Sequence, residues 1–220
     1  DYFSLEDVKA EFGDDVRSII HGLKNVADLY KKQTTQRDEN FSKLMMAFAE
    51  NIRVIIIMIV DRLALMKAIN HHPNQKFVFD IASESLYLYA PLAHRLGLYK
   101  IKSELEDMSL KYTNRDLYTQ IAHKLNESKQ ERDKYIAEFI APIKKKLEDD
   151  GFKFEIKGRT KSIYSIWNKM RKQNAELKDI YDLFAIRIII DTPLKNERSD
   201  CWKAFAIVTD MFKPNTSRLK

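Results

Sequence analysis

The sequence predicts a mainly α-helical N-terminal region followed by a smaller α+β region, and three observations lead there. Through residue 149 the apolar residues recur at the three-and-four spacing of helices. After Gly151 the pattern changes to a period-two run over 152–157. Leu183 to Ile190 is then a branched, nearly continuous apolar run, the pattern of an interior strand.

Taken in order, Ser4 precedes Leu5, Glu6 and Asp7 and reads as an N-cap, with two acids at the positive end of the helix dipole. Gly13 stops that helix. The next starts near Asp14, with Val16, Ile19, Ile20, Leu23 and Val26 as its buried stripe. Residues 31–40 are polar and aperiodic and read as a loop. Residues 41–69 form two helices meeting near Asn51, the second apolar on most sides and therefore central. Asp61 and Arg62 lie within it, and a carboxylate there requires a partner. His71 and His72 are adjacent at a helix end and read as surface or capping residues.

A helix over 74–90 should break before Pro91. Gly97 turns the chain, 99–112 is helical again, Asn114 caps a helix to about Leu125, and a long charged helix containing Pro142 covers 127–149. His94 reads as a structural histidine. A helix over 160–172 puts Ile163, Ile166, Trp167 and Met170 on one face, with Lys161, Ser165, Lys169 and Arg171 directed elsewhere. Its first turn would be basic, against the helix dipole, which suggests an anionic ligand there. Asp182, at the start of the following strand, either ends a loop or holds a metal beside those cations. Asp191 cannot serve as its partner, because nine strand residues span about 30 Å. A turn at Thr192-Pro193, an amphipathic helix over 201–212 and a basic tail from Lys213 to Lys220 complete the chain.

Composition narrows the class of protein. Of the 220 residues 45% are apolar and 32% charged, as in a folded, water-exposed chain rather than a disordered one. Cys201 is the single cysteine, so no internal disulfide exists; with no signal-peptide pattern this favours the cytoplasm. The most apolar run, 52–60, contains Arg53 and stops at Asp61, well short of a membrane span, so no membrane partner is expected. The net charge of +6 is localised: 141–178 holds eleven Lys and Arg against five Asp and Glu, and 11 − 5 accounts for all of it. That patch suits phosphate, RNA or a solvated helix face.

Two long words then identify a resemblance. Gly158-Arg159-x-Lys161-Ser162-Ile163-Tyr164-Ser165-Ile166-x-x-Lys169-Met170 and Ile180-Tyr181-Asp182-Leu183-x-Ala185-x-Arg187-Ile188 closely resemble the front of the synthetase domain of the RelA/SpoT homologues, the bacterial alarmone synthetases and hydrolases. Tyr89-Ala90-Pro91-Leu92-Ala93-His94-Arg95-Leu96-Gly97 and the run from Lys100 to Asp107 are similar to that family's helical connection between its catalytic domains. The resemblance implies a helical, hydrolase-type domain with connecting helices, then an α+β nucleotidyltransferase-like synthetase domain. The expected divisions are 1–112 for the C-terminal part of a degenerate hydrolase domain, 113–150 for connecting helices and 151–220 for the first half of the synthetase.

The implied activity is magnesium-dependent transfer of pyrophosphate from ATP to the 3′-hydroxyl of GDP or GTP, making (p)ppGpp. By position Arg159 resembles the residue that stacks on adenine. Lys161, Ser165 and Lys169 resemble ATP contacts, and Asp182 a magnesium ligand near the attacking hydroxyl. Arg187 either joins them or pairs with a neighbouring acid. Arg218 and Lys220 resemble the start of a further phosphate-binding motif, and the stacking tyrosine and second acid of the family would lie beyond Lys220. The 220 residues alone are therefore expected to show little synthetase activity. In the hydrolase half the family's Asp-Arg-Leu-His-Asn-Met, which carries a manganese ligand, reads here Asp61-Arg62-Leu63-Ala64-Leu65-Met66. Ala64 and Leu65 cannot bind metal, which leaves Asp61 as a vestige and hydrolysis of (p)ppGpp as the weaker alternative. A non-catalytic module binding RNA or the ribosome through its basic surface is the third reading. The sequence carries no signal of oligomeric state.

Overall fold

A computed structural model describes residues 4–31, 51–127, 129–180 and 183–214. The chain divides into two compact units, Asp1–Arg115 and Asp116–Lys220.

The first unit is helical throughout its described residues. Helix α1 (Leu5–Phe12) starts at a reciprocal cap: the Ser4 hydroxyl accepts from the Asp7 amide at 3.1 Å, and the Asp7 carboxylate accepts from the Ser4 amide at 2.8 Å. The Ser4 hydroxyl also donates to the Asp7 carboxylate at 2.6 Å, and this bond first, with the Ser4 amide second, holds that carboxyl below its ordinary range. Gly13, at φ +85°, turns the chain into α2 (Asp14–Lys31). Of the predicted stripe, Val26 is buried and Ile19 and Leu23 pack on the core, whereas Val16 and Ile20 stand 36% and 39% exposed at the rim.

Helix α3 (Ile52–Ala68) is capped by Asn51 and buries Val54, Ile55, Ile59 and Met66. It is less central than its composition suggests. Ile52, Ile56, Ile57 and Val60 are 39–49% exposed. Asp61 is on the open side and needs no partner, correcting the expectation of a buried acid. The requirement for a partner falls on Arg62 instead.

Helix α4 (Gln75–Glu84) does not break before Pro91. It passes through a π-turn, Ser85–Tyr89, into α5 (Ala90–Arg95). The Ala90 N–H reaches back five residues to Ser85, widening the helix by one residue where the proline ring would otherwise meet the preceding turn. Gly97, at φ +72°, leads into α6 (Tyr99–Thr113), whose Leu105 closes the core with Ile55, Ile59, Met66 and Leu92. Tyr112 donates to the Met66 carbonyl at 2.7 Å and ties α6 to α3.

Helix α7 (Arg115–Glu127) begins on the last residue of the first unit, and the rest of it belongs to the second unit with α8 (Lys129–Asp149), which contains Pro142. Strands β1 (Phe154–Thr160) and β2 (Phe184–Ile190) pair antiparallel, from Phe154 opposite Ile190 to Thr160 opposite Phe184. Helix α9 (Ile163–Gln173) lies between them in sequence, and α10 (Glu197–Met211) follows β2. Two small cores result. Ile143 and Leu147 of α8 pack with Ala204 and Ile207 of α10 under Phe154, Ile188 and Ile190 of the sheet. Ile166 of α9 packs with Ile121 of α7 and Leu177.

Among the described residues β2 does not occupy the interior position that its composition predicts. Among the described residues it pairs with β1 alone, and its residues alternate between half-buried and exposed, leaving Ile189 40% exposed. The turn after it is held by the Thr192 hydroxyl, which donates to the Asp200 carboxylate at 2.6 Å and keeps that group below its ordinary range.

Candidate nucleotide site at the β1–α9 junction

The junction differs from its sequence reading in one respect that changes its chemistry. The ladder runs to Thr160, so Gly158, Arg159 and Thr160 are strand residues rather than the first turn of a helix. Ser162 is the N-cap: its hydroxyl accepts from the Ser165 amide at 3.2 Å, and α9 starts at Ile163. The first turn is therefore Ile163 to Ser165 with no cation in it, and the basic residues precede the helix. The dipole conflict expected from sequence does not arise. Cations just ahead of a helix N-terminus, with a hydroxyl in its first turn, still form a favourable surround for an anion.

Several predicted residues converge here. The Lys161 amide donates to the Leu183 carbonyl at 2.9 Å, carrying the strand pairing one step past Thr160. Lys161 is thus bound by its backbone to the residue that follows Asp182 in sequence. Ser165 is half-buried and accepts a 2.8 Å hydrogen bond from the Ser162 hydroxyl, which leaves the Ser165 proton for an acceptor. Lys169 lies one turn further along the same helix face. The opposite face is core: Ile166 is fully buried, with Ile163, Trp167 and Met170 packed around it. The Tyr164 and Trp167 rings meet at a 57° tilt with centroids 5.3 Å apart, and the Arg171 guanidinium lies 5.0 Å from the Trp167 ring.

Arg187 is on the exposed face of β2 opposite Lys157. The expected neighbouring acid is absent from its own register, since its partner is a second cation and Glu155 pairs with Lys157 at 2.8 Å. Position 159 falls opposite Ala185 in the ladder, and Arg159 is described by its backbone alone. Asp182, Arg218 and Lys220 lie outside the described residues. Asp191 is at the far end of the sheet, its amide bonded to the Lys153 carbonyl at 2.8 Å.

Two features of the junction escaped the sequence reading. Ser162 both caps α9 and orients Ser165, and the serine-x-x-serine spacing just ahead of an apolar stripe was the available signal. Lys157 joins Arg187 only through a pairing register, which no local pattern displays.

In the first unit Asp61 lines a cavity of about 350 Å³ with Leu23, Val26, Met58, Arg62, Leu65 and Tyr89. Burial by itself would depress the Arg62 guanidinium. The Tyr89 ring at 4.2 Å, the Tyr89 hydroxyl at 3.2 Å and the Glu84 carboxylate at 2.8 Å more than offset it and hold the charge in place. Arg62 is thereby a strut between α3, α4 and the π-turn. Among the described residues Asp61 is the single carboxylate in the cavity wall, Leu65 lies beside it, and Ala64 has no metal-binding side chain. Among the described residues no three His, Cys, Asp or Glu cluster as metal ligands. His71 and His72 are exposed and bond to Asn70 and to the Asn74 amide, and His94 stacks edge-on to Tyr99.

Comparison with known proteins matches both units. Residues 1–99 match the HD domain, and residues 158–220 match the region found in RelA and SpoT proteins. The chain is 34% identical over 218 residues to a guanosine-3′,5′-bis(diphosphate) 3′-pyrophosphohydrolase of Aquifex aeolicus, covering 99% of this chain and 30% of that protein. It is 36% identical over 219 residues to a GTP pyrophosphokinase of Myxococcus xanthus, with 98% and 28% covered.

The chain belongs to the RelA/SpoT family.

Within that family it is also 33% identical over 211 residues to a GTP pyrophosphokinase of Escherichia coli, covering 92% of this chain and 28% of that protein. The chain thus spans somewhat under a third of the length of these RelA/SpoT relatives. Relatives named for synthesis and for hydrolysis are equally similar to it, so overall identity does not separate the two activities. Among the described residues no helix is long and apolar enough to cross a membrane.

Proposed function

We propose that this chain supplies the ATP-gripping front of a (p)ppGpp synthetase, the enzyme that transfers pyrophosphate from ATP to the 3′-hydroxyl of GDP or GTP. The observation that carries the reading is the Lys161–Leu183 backbone bond, which ties the basic lead-in of α9 to the start of the strand that follows Asp182. In this reading Lys161 and Lys169 neutralise the phosphate chain and Ser165 donates to one of its oxygens, while Arg159 stacks on adenine. Asp182 would hold magnesium, which supplies charge neutralisation at the transferred group. Attack of the 3′-oxygen on the β-phosphorus breaks the α–β bridge, AMP leaves, and the hydroxyl proton passes to solvent. Arg187 adds a further positive charge for the nucleotides, and Arg218 and Lys220 would bind phosphate as the family resemblance implies.

Hydrolysis of (p)ppGpp by the first unit draws no support from a cavity whose described wall has one carboxylate and is otherwise mainly apolar. RNA binding through stacked aromatics draws little, because Trp167 is packed in the core rather than offered to bases. The reading makes this protein cytoplasmic.

ATP titrated into the chain by calorimetry tests the proposal. Lys161→Ala and Lys169→Ala should each weaken binding about tenfold, the scale of one charge-assisted contact. Affinity unchanged in both variants would remove nucleotide from this junction. In a version of the protein that forms product from ATP and GDP, Asp182→Ala should abolish that product.

A further inference from the structure

We propose that the first unit carries a separate oxyanion site, which takes one phosphate-sized group between the start of α4 and the end of α6. A cavity of about 120 Å³ lies there, lined by Asn70, Gln75, Val78, Lys111, Tyr112 and Arg115. Its wall holds two cations and no acid. Lys111 is half-buried and donates to the Asn70 side-chain oxygen at 2.9 Å, a neutral partner. Arg115 is exposed, and neither cation has a carboxylate partner among the described residues.

The donors exceed the acceptors. Lys111 has two of its three N–H donors left after Asn70, and Arg115 brings five. Gln75 gives one amide N–H to the His72 carbonyl at 3.3 Å and retains the other. The remaining groups are already committed: Tyr112 donates to the Met66 carbonyl, and the Asn70 amide nitrogen faces the His71 ring at 2.8 Å. A pocket walled by unspent donors and two positive charges is complementary to a ligand that only accepts.

Size limits the ligand. About 120 Å³ is the room of roughly four waters, which suits a tetrahedral oxyanion and excludes a nucleoside. The chemistry is therefore a phosphoryl group, free or at the end of a larger molecule left outside. Bound there, it would cross-link Gln75 at the first residue of α4 to Lys111 in the last turn of α6. The site shares no residue with the β1–α9 junction, so it stands whether or not that junction binds ATP.

Inorganic phosphate added to the 220-residue chain, against chloride at matched ionic strength, gives the test by calorimetry and thermal unfolding. We expect saturable binding to the first unit. Lys111→Met and Arg115→Gln, both at the solvent edge, should each weaken it about tenfold or more, and Lys145→Gln on α8 should leave it unchanged. A far-UV spectrum for each variant checks that folding is retained. A nucleoside monophosphate that competes with phosphate in a Lys111-dependent way would make the source a larger phosphorylated molecule; no competition would make it the free ion. No phosphate-specific effect beyond chloride, or an effect identical in all four proteins, overturns the proposal.

Discussion

Lys157 and Arg187 are direct cross-strand partners on the exposed face of the two-stranded sheet. Like charges opposite one another in an antiparallel pair destabilise it by up to about 1 kcal/mol, and Glu155, 2.8 Å from Lys157, offsets part of that. A repulsive pair beside a proposed phosphate site is a feature that a bound anion would relieve. Arg187→Gln should therefore stabilise the protein by about 0.5 kcal/mol in urea denaturation at low salt and by less at high salt. It should also weaken nucleotide binding. A stability loss on removing Arg187 would show that the residue has a favourable partner instead.

Helix capping and ligand contact separate at two serines three residues apart. Ser162→Ala removes the N-cap and should cost about 1 kcal/mol of stability. Ser165→Ala leaves the cap in place and should cost less than half as much, while reducing ATP affinity several-fold. Chemical denaturation with ATP titration on both variants distinguishes the roles, and equal effects on stability and binding would merge them.

Gly22 is placed where α2 crosses α3. A Cβ there would come within 2.7 Å of a Val54 methyl, and Val54 is 1% exposed with a β-branched side chain that cannot rotate away. Gly22→Ala gains helix propensity of about 1 kcal/mol, yet overpacking costs about 1–3 kcal/mol. The net expectation is a destabilised protein, rescued by the second change Val54→Ala more fully than the two single effects would sum to. A lone Gly22→Ala variant with a raised melting temperature would mean that the helices have room to part.

Glu106 gives the pH dependence a direction. Burial lifts its carboxyl above the ordinary range, and the Lys102 ammonium at 2.8 Å pulls it only partly back. A carboxyl raised in the folded state binds its proton more tightly there than in the unfolded chain. Its contribution is thus present below the unfolded value and is lost as pH rises through the folded one. Glu106→Gln, which mimics the protonated form, should make the first unit more stable than the parent at neutral pH and flatten that decline. Urea melts at several pH values from about 4 to 8 check it.

What could be read from the chain alone was whatever repeats locally. The apolar stripe of α9, Ile163 to Met170, the cap at Ser4 and the turns at Gly13, Gly97 and Gly151 follow from neighbours within four residues, and the structure places them where the periodicity does. The motif from Gly158 to Met170 likewise carried the family resemblance without coordinates. The rest depended on partners distant in sequence. Thr160 is strand rather than helix because Phe184 pairs with it, and that shift moves Lys161 out of the first turn of α9. Pro91 continues a helix because a π-turn opens ahead of it. Asp61 and Arg62 are consecutive, yet one is exposed and the other half-buried and paired with Glu84. Local sequence sets the phase of a helix or strand, but register and the choice of buried face are settled by contacts across the fold, whose free energy no short window contains.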